Sequence, residues 1–232
     1  MMNEGRGLSI DNPAAFPSSV HHSSFIVHHF MQIGVLALQG DFAAHARMLR
    51  RIGVEAVEVR RAAVLDEVDG LIIPGGESTT MLKFIEEESL GGAIKAFASS
   101  ARPIFATCAG AILVAREVSN PPQPSLGLMD IAVARNAYGR QVDSFIIAVE
   151  TSLPGGPLEA VFIRAPRITD VGQGVATIAT LKGEPVMVRQ GNLIAATFHP
   201  ELTEDDRAHR LLVELAETQS RQKSAPQSST KP

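Results

Sequence analysis

A cysteine, and a histidine followed by a carboxylate, are the residues of this sequence best suited to covalent chemistry. Cys108 is the single cysteine among 232 residues and lies in FATCAG (105–110). A thiolate is a strong nucleophile, and a nearby imidazole can take the thiol proton. In FHPE (198–201), His199 precedes Glu201 by two residues, so in an extended segment both side chains point to the same side. Glu201 could then bind the second imidazole nitrogen, and the three residues predict a catalytic triad.

The surroundings of Cys108 predict a sharp turn between a strand and a helix. The run RPIFATC is typical of a strand, and AGAILVAREV (109–118) continues in a helical pattern. Such an elbow exposes its side chain at the carboxyl edge of a sheet, and small neighbours tolerate strained backbone. A helix N-terminus also favours the thiolate. From these positions alone, a buried unreactive cysteine and a satisfied core or surface histidine remain the alternatives.

A glycine-rich loop is the third candidate feature. In IIPGGESTT (72–80) two adjacent glycines follow a strand, and Ser78 or Thr79 is expected to cap the next helix. Backbone N–H groups of Gly76 and Ala109 could stabilise the oxyanion that forms when a thiolate attacks a carbonyl. Most glycine-rich turns after a strand have no catalytic role. This loop is a candidate only in combination with Cys108 and His199.

Two arginines could hold a substrate carboxylate. Arg135 lies in ARNAYGRQVDSF and Arg164 in FIRAP. A guanidinium binds a carboxylate through two parallel hydrogen bonds. The alternative for each is an ordinary surface arginine.

Composition and charge exclude several classes of partner. The formal net charge is −4 and no basic patch appears, so we expect no nucleic-acid partner. No apolar run reaches the roughly 18 to 20 residues of a membrane span, so we expect no membrane partner. A single cysteine permits no intramolecular disulfide and fits a reducing compartment, which predicts the cytoplasm.

We also expect no metal ion and no cofactor. The histidine pairs at 21–22 and 28–29 have no carboxylate or cysteine at ligand spacing. Neither the GxxxxGK[ST] phosphate loop nor GxGxxG occurs in the sequence.

Strand-like and helix-like segments alternate through the first half of the chain. This alternation predicts an α/β fold in which helices cover both faces of a parallel sheet. From about 126 to 200, short Gly and Pro turns connect further strands, which indicates an antiparallel portion. We expect residues 1–31 to be a disordered extension, 32–217 the folded domain, and 218–232 a disordered polar tail.

The motifs and their order resemble the glutaminase subunits of pyridoxal 5'-phosphate synthase, which are class I, triad-type glutamine amidotransferases. The resemblance covers about residues 33–217 and rests on IGVLALQGDFAAH, GLIIPGGESTTM, TCAG, RNAYGRQVDSF, FIRAP and FHPELTED. It implies a three-layer, flavodoxin-like fold with a mostly parallel central sheet, flanking helices and a smaller antiparallel portion.

The resemblance also implies roles for individual residues. Cys108 would be the nucleophile, His199 the general base and then acid, and Glu201 the residue that orients His199. Contacts with L-glutamine would come from Gly76, Glu77, Ser78, Arg135, Ile163 and Arg164. The implied reaction is hydrolysis of glutamine to glutamate and ammonia, which passes to a (β/α)8-barrel synthase subunit in a hetero-oligomer. We expect the glutaminase to be weak until that partner orders the loop from Gly75 to Ser78.

Two other functions share this fold. A glutaminase could supply ammonia to a different synthase, but the motifs LQGDFAAH and RNAYGRQVDSF would then match by coincidence. A catalytically silent module that only binds its partner would require a broken triad, whereas all three triad residues are present.

Overall fold

A computed structural model describes residues 30–135 and 144–224, which form twelve strands, five α-helices and two short 3-10 helices. Almost all of the N-terminal extension predicted for 1–31 lies outside the described residues, as does the end of the predicted tail, 225–232. The strands are β1 (Gln32–Leu36), β2 (Glu55–Val59), β3 (Gly70–Ile73), β4 (Ile104–Thr107), β5 (Ala115–Ser119), β6 (Met129–Ala134), β7 (Ser144–Thr151), β8 (Leu158–Ile163), β9 (Arg167–Val171), β10 (Ala176–Leu181), β11 (Glu184–Gln190) and β12 (Leu193–Ala196). The helices are α1 (Phe42–Arg51), α2 (Ser78–Glu87), α3 (Leu90–Ser99), α4 (Ala109–Val114) and α5 (Arg207–Ser224), with 3-10 helices at Ala62–Asp66 and Pro200–Leu202.

One nine-stranded sheet, in the order β2-β1-β3-β4-β12-β11-β10-β7-β8, forms the centre of the fold. The first five of these strands pair in parallel, and the remaining strands pair antiparallel. The predicted antiparallel portion therefore continues the same sheet. A separate sheet, β5-β6-β9, lies beside it.

Helices cover the parallel half on both faces, as predicted. Strands β3 and β4 are buried at every position, which explains their continuous apolar sequence. Successive residues face opposite layers: Ile72 packs in the cluster that includes residues of α1 and α5, whereas Ile73 packs with α2, α3 and α4. The result is the three-layer arrangement expected from the sequence.

Helix α4 is shorter than the sequence predicted. The helical pattern was expected to run over 109–118, but the helix ends at Val114 and residues 115–119 form β5. Carbonyl oxygens near the helix end accept hydrogen bonds from elsewhere, Leu126 N donating to Leu113 O at 2.7 Å and Leu128 N to Val114 O at 2.9 Å. These bonds take the place of those in a further helical turn, and the following residues form β5, which pairs with β6.

Helix α5 is longer than expected. The polar tail was predicted from Thr218, but the helix continues to Ser224. Within this stretch Thr218 Oγ1 donates to Glu214 O at 2.8 Å, and Arg221 binds Glu217 at 2.8 Å with the (i, i+4) spacing of a helix surface. Among the described residues, no helix is both long and apolar enough to cross a bilayer.

Gly110 lets α4 lie directly against β3. A Cβ atom at this position would lie 2.1 Å from the carbonyl oxygen of Ile73, which is backbone and cannot rotate away. We therefore expect Gly110→Ala to destabilise the protein by about 1–3 kcal/mol, measured by urea unfolding.

Gly92→Ala is the matched control, because Gly92 is also helical and a Cβ there meets nothing within 4 Å. It should stabilise the protein by about 0.5–1 kcal/mol. Equal stability of the two variants would contradict the proposed close approach of α4 and β3.

Candidate active site

Four segments that follow neighbouring parallel strands meet at one edge of the sheet. Residues 39–41 follow β1, residues 75–78 follow β3, Cys108 follows β4, and His199 lies three residues after β12. Strands β4 and β12 are adjacent and parallel, so their carboxyl ends lie side by side. The nucleophile and base candidates, separated by 91 positions, are thereby brought together at a carboxyl edge.

Cys108 lies in the strained turn that the sequence predicted. Its backbone has φ 47° and ψ −105°, a region that residues with a Cβ rarely adopt, and α4 begins at the next residue. Its N–H donates to Ala196 O on β12 at 2.8 Å, which fixes the turn to the neighbouring strand. The thiol is 4.0 Å from the carbonyl oxygen of Ile163. The residue is only 7% exposed, at the floor of a cavity.

His199 and Glu201 form a buried pair. His199 Nδ1 lies 2.7 Å from Glu201 Oε1, and the imidazole also hydrogen-bonds the Cys108 side chain. The two residues were expected on an extended segment, which is wrong: a 3-10 helix begins at Pro200 and contains Glu201. The tight turn, rather than strand alternation, returns the carboxylate to the imidazole.

The neighbours of His199 favour its charged form. Burial lowers the pKa of the imidazole, but its hydrogen bonds and electrostatic interactions with Cys108 and Glu201 outweigh burial and raise the pKa to about 10. His199 is therefore an imidazolium at neutral pH. Glu201 binds Nδ1 of His199, so the other ring nitrogen faces the sulfur of Cys108.

Gly75 allows His199 and Cys108 to approach the loop. A Cβ atom there would lie 2.4 Å from His199 Cε1 and 3.3 Å from Cys108 Cβ. The same loop touches the segment after β1, because a Cβ at Gly40 would overlap the Gly75 carbonyl. The Gln39 side-chain oxygen accepts a hydrogen bond from Glu77 N at 2.8 Å. Gln39, which was not predicted as a site residue, joins two loops of the site.

Glu77, rather than Ser78 or Thr79, caps helix α2. Its carboxylate accepts hydrogen bonds from the backbone N–H groups of Thr79 and Thr80 at 3.1 and 2.7 Å. Slight burial raises the pKa of Glu77, but bonds from the Thr80 side chain and the two amides lower it to about 2. The cap therefore carries a negative charge. Arg135 contacts this cap, with Nη2 3.1 Å from Thr79 Oγ1 and 3.5 Å from Glu77 Oε1.

The remaining predicted contacts come from the end of β8. His199 N donates to Val161 O at 2.8 Å, so β8 lies next to the histidine segment. Ile163 is the last residue of the strand, and Arg164 follows with φ 42°. This turn places both residues on the cavity wall.

A cavity of about 370 Å³ joins these features, a size suited to a small ligand. It brings together every predicted site residue except Glu201, which lies behind His199. The lining residues predicted from the sequence are Gly76, Glu77, Ser78, Cys108, Ala109, Arg135, Ile163, Arg164 and His199. Gly75 of the glycine-rich loop also lines it, and the lining residues that were not predicted are Gln39, Gly40, Asp41, Ile112 and Pro166.

Asp41 also lies close to the triad. One ligand atom from each of Asp41, His199 and Glu201 is within 4.8 Å of the others, so in the described part of the chain this trio could hold a metal ion. His199 and Glu201 are already hydrogen-bonded to each other, an arrangement that serves a triad without a metal. The absence of a metal and of a cofactor stays a prediction.

Comparison with known proteins assigns the chain to a family. Residues 35–218 match the SNO glutamine amidotransferase family. The chain belongs to this family. A relative from Koribacter versatilis (strain Ellin345), named pyridoxal 5'-phosphate synthase subunit PdxT, is 53% identical over 185 residues, which cover 80% of this chain and 95% of the relative. The protein of the same name from Thermotoga maritima is 49% identical over 186 residues, covering 80% and 99% of the two chains.

Solved structures agree with this membership of the SNO glutamine amidotransferase family. A crystal structure described as a glutamine amidotransferase superimposes with a TM-score of 0.76 at 47% identity, covering 80% of this chain and 98% of the other. A chain in the structure of PurLQS from Thermotoga maritima has a TM-score of 0.58 at 15% identity, covering 82% and 98%. The second likeness shows a shared fold. The α/β fold and the family inferred from the sequence are thus confirmed.

Replacement of Cys108 by alanine should lower the pKa of His199. The substitution removes the hydrogen bond and negative charge that raise this pKa, whereas the burial that lowers it remains. NMR titration of the imidazole Cε1–H resonance, assigned with a His199→Gln variant, measures the change. Because the folded pKa lies above the ordinary 6.5, the stability contributed by His199 is complete below pH 6.5 and is lost as pH rises through about 10.

Ser78→Ala is the control, because Ser78 lines the same cavity but its hydroxyl binds Gln123. The pKa of His199 should stay near 10 in this variant. An unchanged pKa in Cys108→Ala would show that sulfur and imidazole do not interact.

Proposed function

We propose that this member of the glutamine amidotransferase family hydrolyses L-glutamine to glutamate and ammonia with Cys108, His199 and Glu201 as its triad. These roles are supported by one observation: hydrogen bonds link the sulfur to the imidazole and the imidazole to the carboxylate at the floor of the cavity. A carboxamide is a poor electrophile, so its hydrolysis needs an activated nucleophile, an oxyanion site and a proton donor for the leaving nitrogen.

The first half of the reaction forms a thioester. The Cys108 thiolate attacks the side-chain carbonyl carbon of glutamine, and the carbonyl electron pair moves to oxygen. Backbone N–H groups of Gly76 and Ala109 stabilise this oxyanion. The His199 imidazolium then gives its proton to the nitrogen, the C–N bond breaks and ammonia leaves. Since His199 is already protonated in the resting site, no separate protonation step precedes this transfer.

The second half of the reaction releases glutamate. The neutral His199 takes a proton from water as the water oxygen attacks the thioester carbon. The C–S bond breaks, glutamate departs, and the thiolate and imidazolium are restored. Throughout the cycle Glu201 accepts the Nδ1 hydrogen and keeps the other imidazole nitrogen directed at the sulfur.

Residues around the cavity would hold the glutamine. The guanidinium groups of Arg135 and Arg164 can bind its α-carboxylate. The Glu77 carboxylate attracts the α-ammonium, since it stays ionised. The Ile163 carbonyl lies close to the sulfur, and Gly76 and Ser78 also line the cavity.

The ammonia would pass to a partner. The relatives from Koribacter and Thermotoga are named as subunits of pyridoxal 5'-phosphate synthase. We propose that this chain forms a hetero-oligomer with the barrel-shaped synthase subunit and supplies ammonia for vitamin B6 biosynthesis. A free thiol as nucleophile requires a reducing compartment, which favours the cytoplasm.

Cys108→Ala should reduce glutamine hydrolysis at least about 10³-fold, because no other group of the cavity can form the thioester. Glutamate release in the presence of the synthase subunit measures the loss. Mass spectrometry of the wild-type protein quenched during turnover should detect the thioester on Cys108. Met48→Leu, on the buried side of α1 and away from the cavity lining, is the control and should keep near-wild-type activity. A wild type that hydrolyses no glutamine would support the silent binding module instead.

Addition of the synthase subunit should increase the glutaminase rate of the isolated chain. The Gly75–Ser78 loop carries a proposed oxyanion donor, and a partner that fixes its geometry would raise kcat. Steady-state assays of the chain with and without the synthase test this expectation. Equal rates in the two assays would contradict partner activation.

A further inference from the structure

Two buried histidines lie directly behind the triad. His45 on α1 and His209 on α5 are both completely buried, although neither lines the cavity. His45 Nε2 is 3.3 Å from Glu201 Oε2 and 3.1 Å from Thr107 Oγ1. His45 Nδ1 is 2.9 Å from His209 Nε2. The triad therefore continues inward through two further imidazoles.

The tautomers of His45 and His209 can be deduced from whether each neighbouring atom donates or accepts a hydrogen bond. Glu201 Oε1 is bound to His199, whereas its second oxygen is buried without a hydrogen bond in the described structure, and His45 Nε2 lies 3.3 Å from it. A carboxylate oxygen is an acceptor, so we infer that His45 carries its proton on Nε2, which lies between Glu201 Oε2 and Thr107 Oγ1. His45 Nδ1 then has a lone pair, and His209 must donate to it from Nε2. The opposite tautomers would direct a lone pair at the carboxylate and leave a buried N–H of His209 without an acceptor.

Burial keeps both imidazoles neutral. It lowers the pKa of His45 well below its ordinary value, with further lowering by His209 and His199. It also lowers the pKa of His209 to about 3, despite the opposing charge of Asp206. Each ring therefore has one donor and one acceptor nitrogen, as the chain of hydrogen bonds requires.

We propose that His45 is a positioning residue of the glutaminase site, which holds the second oxygen of Glu201, and that His209 fixes the His45 tautomer. With this donor in place, the other oxygen of Glu201 stays directed at His199. Without it, this buried carboxylate oxygen loses the neighbouring N–H group, and Glu201 turns away from His199. This movement weakens the interaction of Glu201 with His199 and, through His199, the interaction with Cys108. The proposal rests on the proposed triad.

The reactivity of the single cysteine gives a test that does not depend on glutamine. Because the chain has one cysteine, its alkylation rate with iodoacetamide reports on Cys108 alone. We expect His45→Leu to slow alkylation at pH 7 about 10-fold, the effect typical of losing a hydrogen bond that orients a reactive group's partner. His45→Gln, whose amide can donate to Glu201, should stay within about 2-fold of wild type.

The decisive comparison repeats His45→Leu in a Glu201→Gln background. If His45 acts through Glu201, the added substitution should change the alkylation rate less than about 2-fold there. The same 10-fold loss in both backgrounds, or no loss in either, would overturn the proposal. Met48→Leu, one turn further along α1, controls for packing changes and should leave the rate unchanged.

His209→Leu tests the chain of hydrogen bonds from its other end. It should slow alkylation about 3-fold and lose this effect in the Glu201→Gln background. If His45→Leu fails to fold, as judged by circular dichroism, His209→Leu carries the test, and a wild-type rate there would overturn the proposal. A wild-type complex that hydrolyses no glutamine would instead refute the proposed function, while the alkylation comparison would still decide the role of His45.

Discussion

The parallel pairing of β4 with β12 is the constraint on which the site depends. Ala196 lies opposite Thr107, and the next residue, Cys108, donates its N–H back to Ala196. This register ends both strands at the same level and fixes the elbow against its neighbour. The segment that contains His199 then continues from β12 into the space beside the sulfur. A slip of one residue in the pairing would reverse the faces of β12 and separate Cys108 from His199.

Several backbone segments approach one another closely around the cavity, and glycines lie at the points of contact because a Cβ atom would not fit there. Gly40 touches Gly75, Gly75 faces His199, and Gly110 lies against Ile73. Each glycine removes a Cβ atom where two segments meet, so four loops can surround a cavity large enough for a small ligand only. Rigid elements on both sides of each loop hold this arrangement, because their apolar faces are fully buried in two separate clusters.

The sequence predicted features that depend on local pattern and missed those that depend on contacts across the chain. Buried strands, the elbow at Cys108 and the partners His199 and Glu201 could be found because residue type and spacing are local. Helix α3 was not predicted, since its two glycines resemble a loop. The 3-10 turn at Glu201 resembles an extended segment in sequence. His45 and His209 are 164 positions apart, so no local sequence pattern predicts their contact.

The presence of a single cysteine also has a consequence for redox damage. Cys108 lines the cavity beside His199, so small peroxides that enter the cavity can reach its sulfur. Oxidation would give a sulfenic acid, which a second thiol normally resolves into a disulfide. This chain has no second cysteine. Recovery from oxidation must therefore come from a thiol on another molecule, and without it the damage proceeds to the irreversible sulfinic acid.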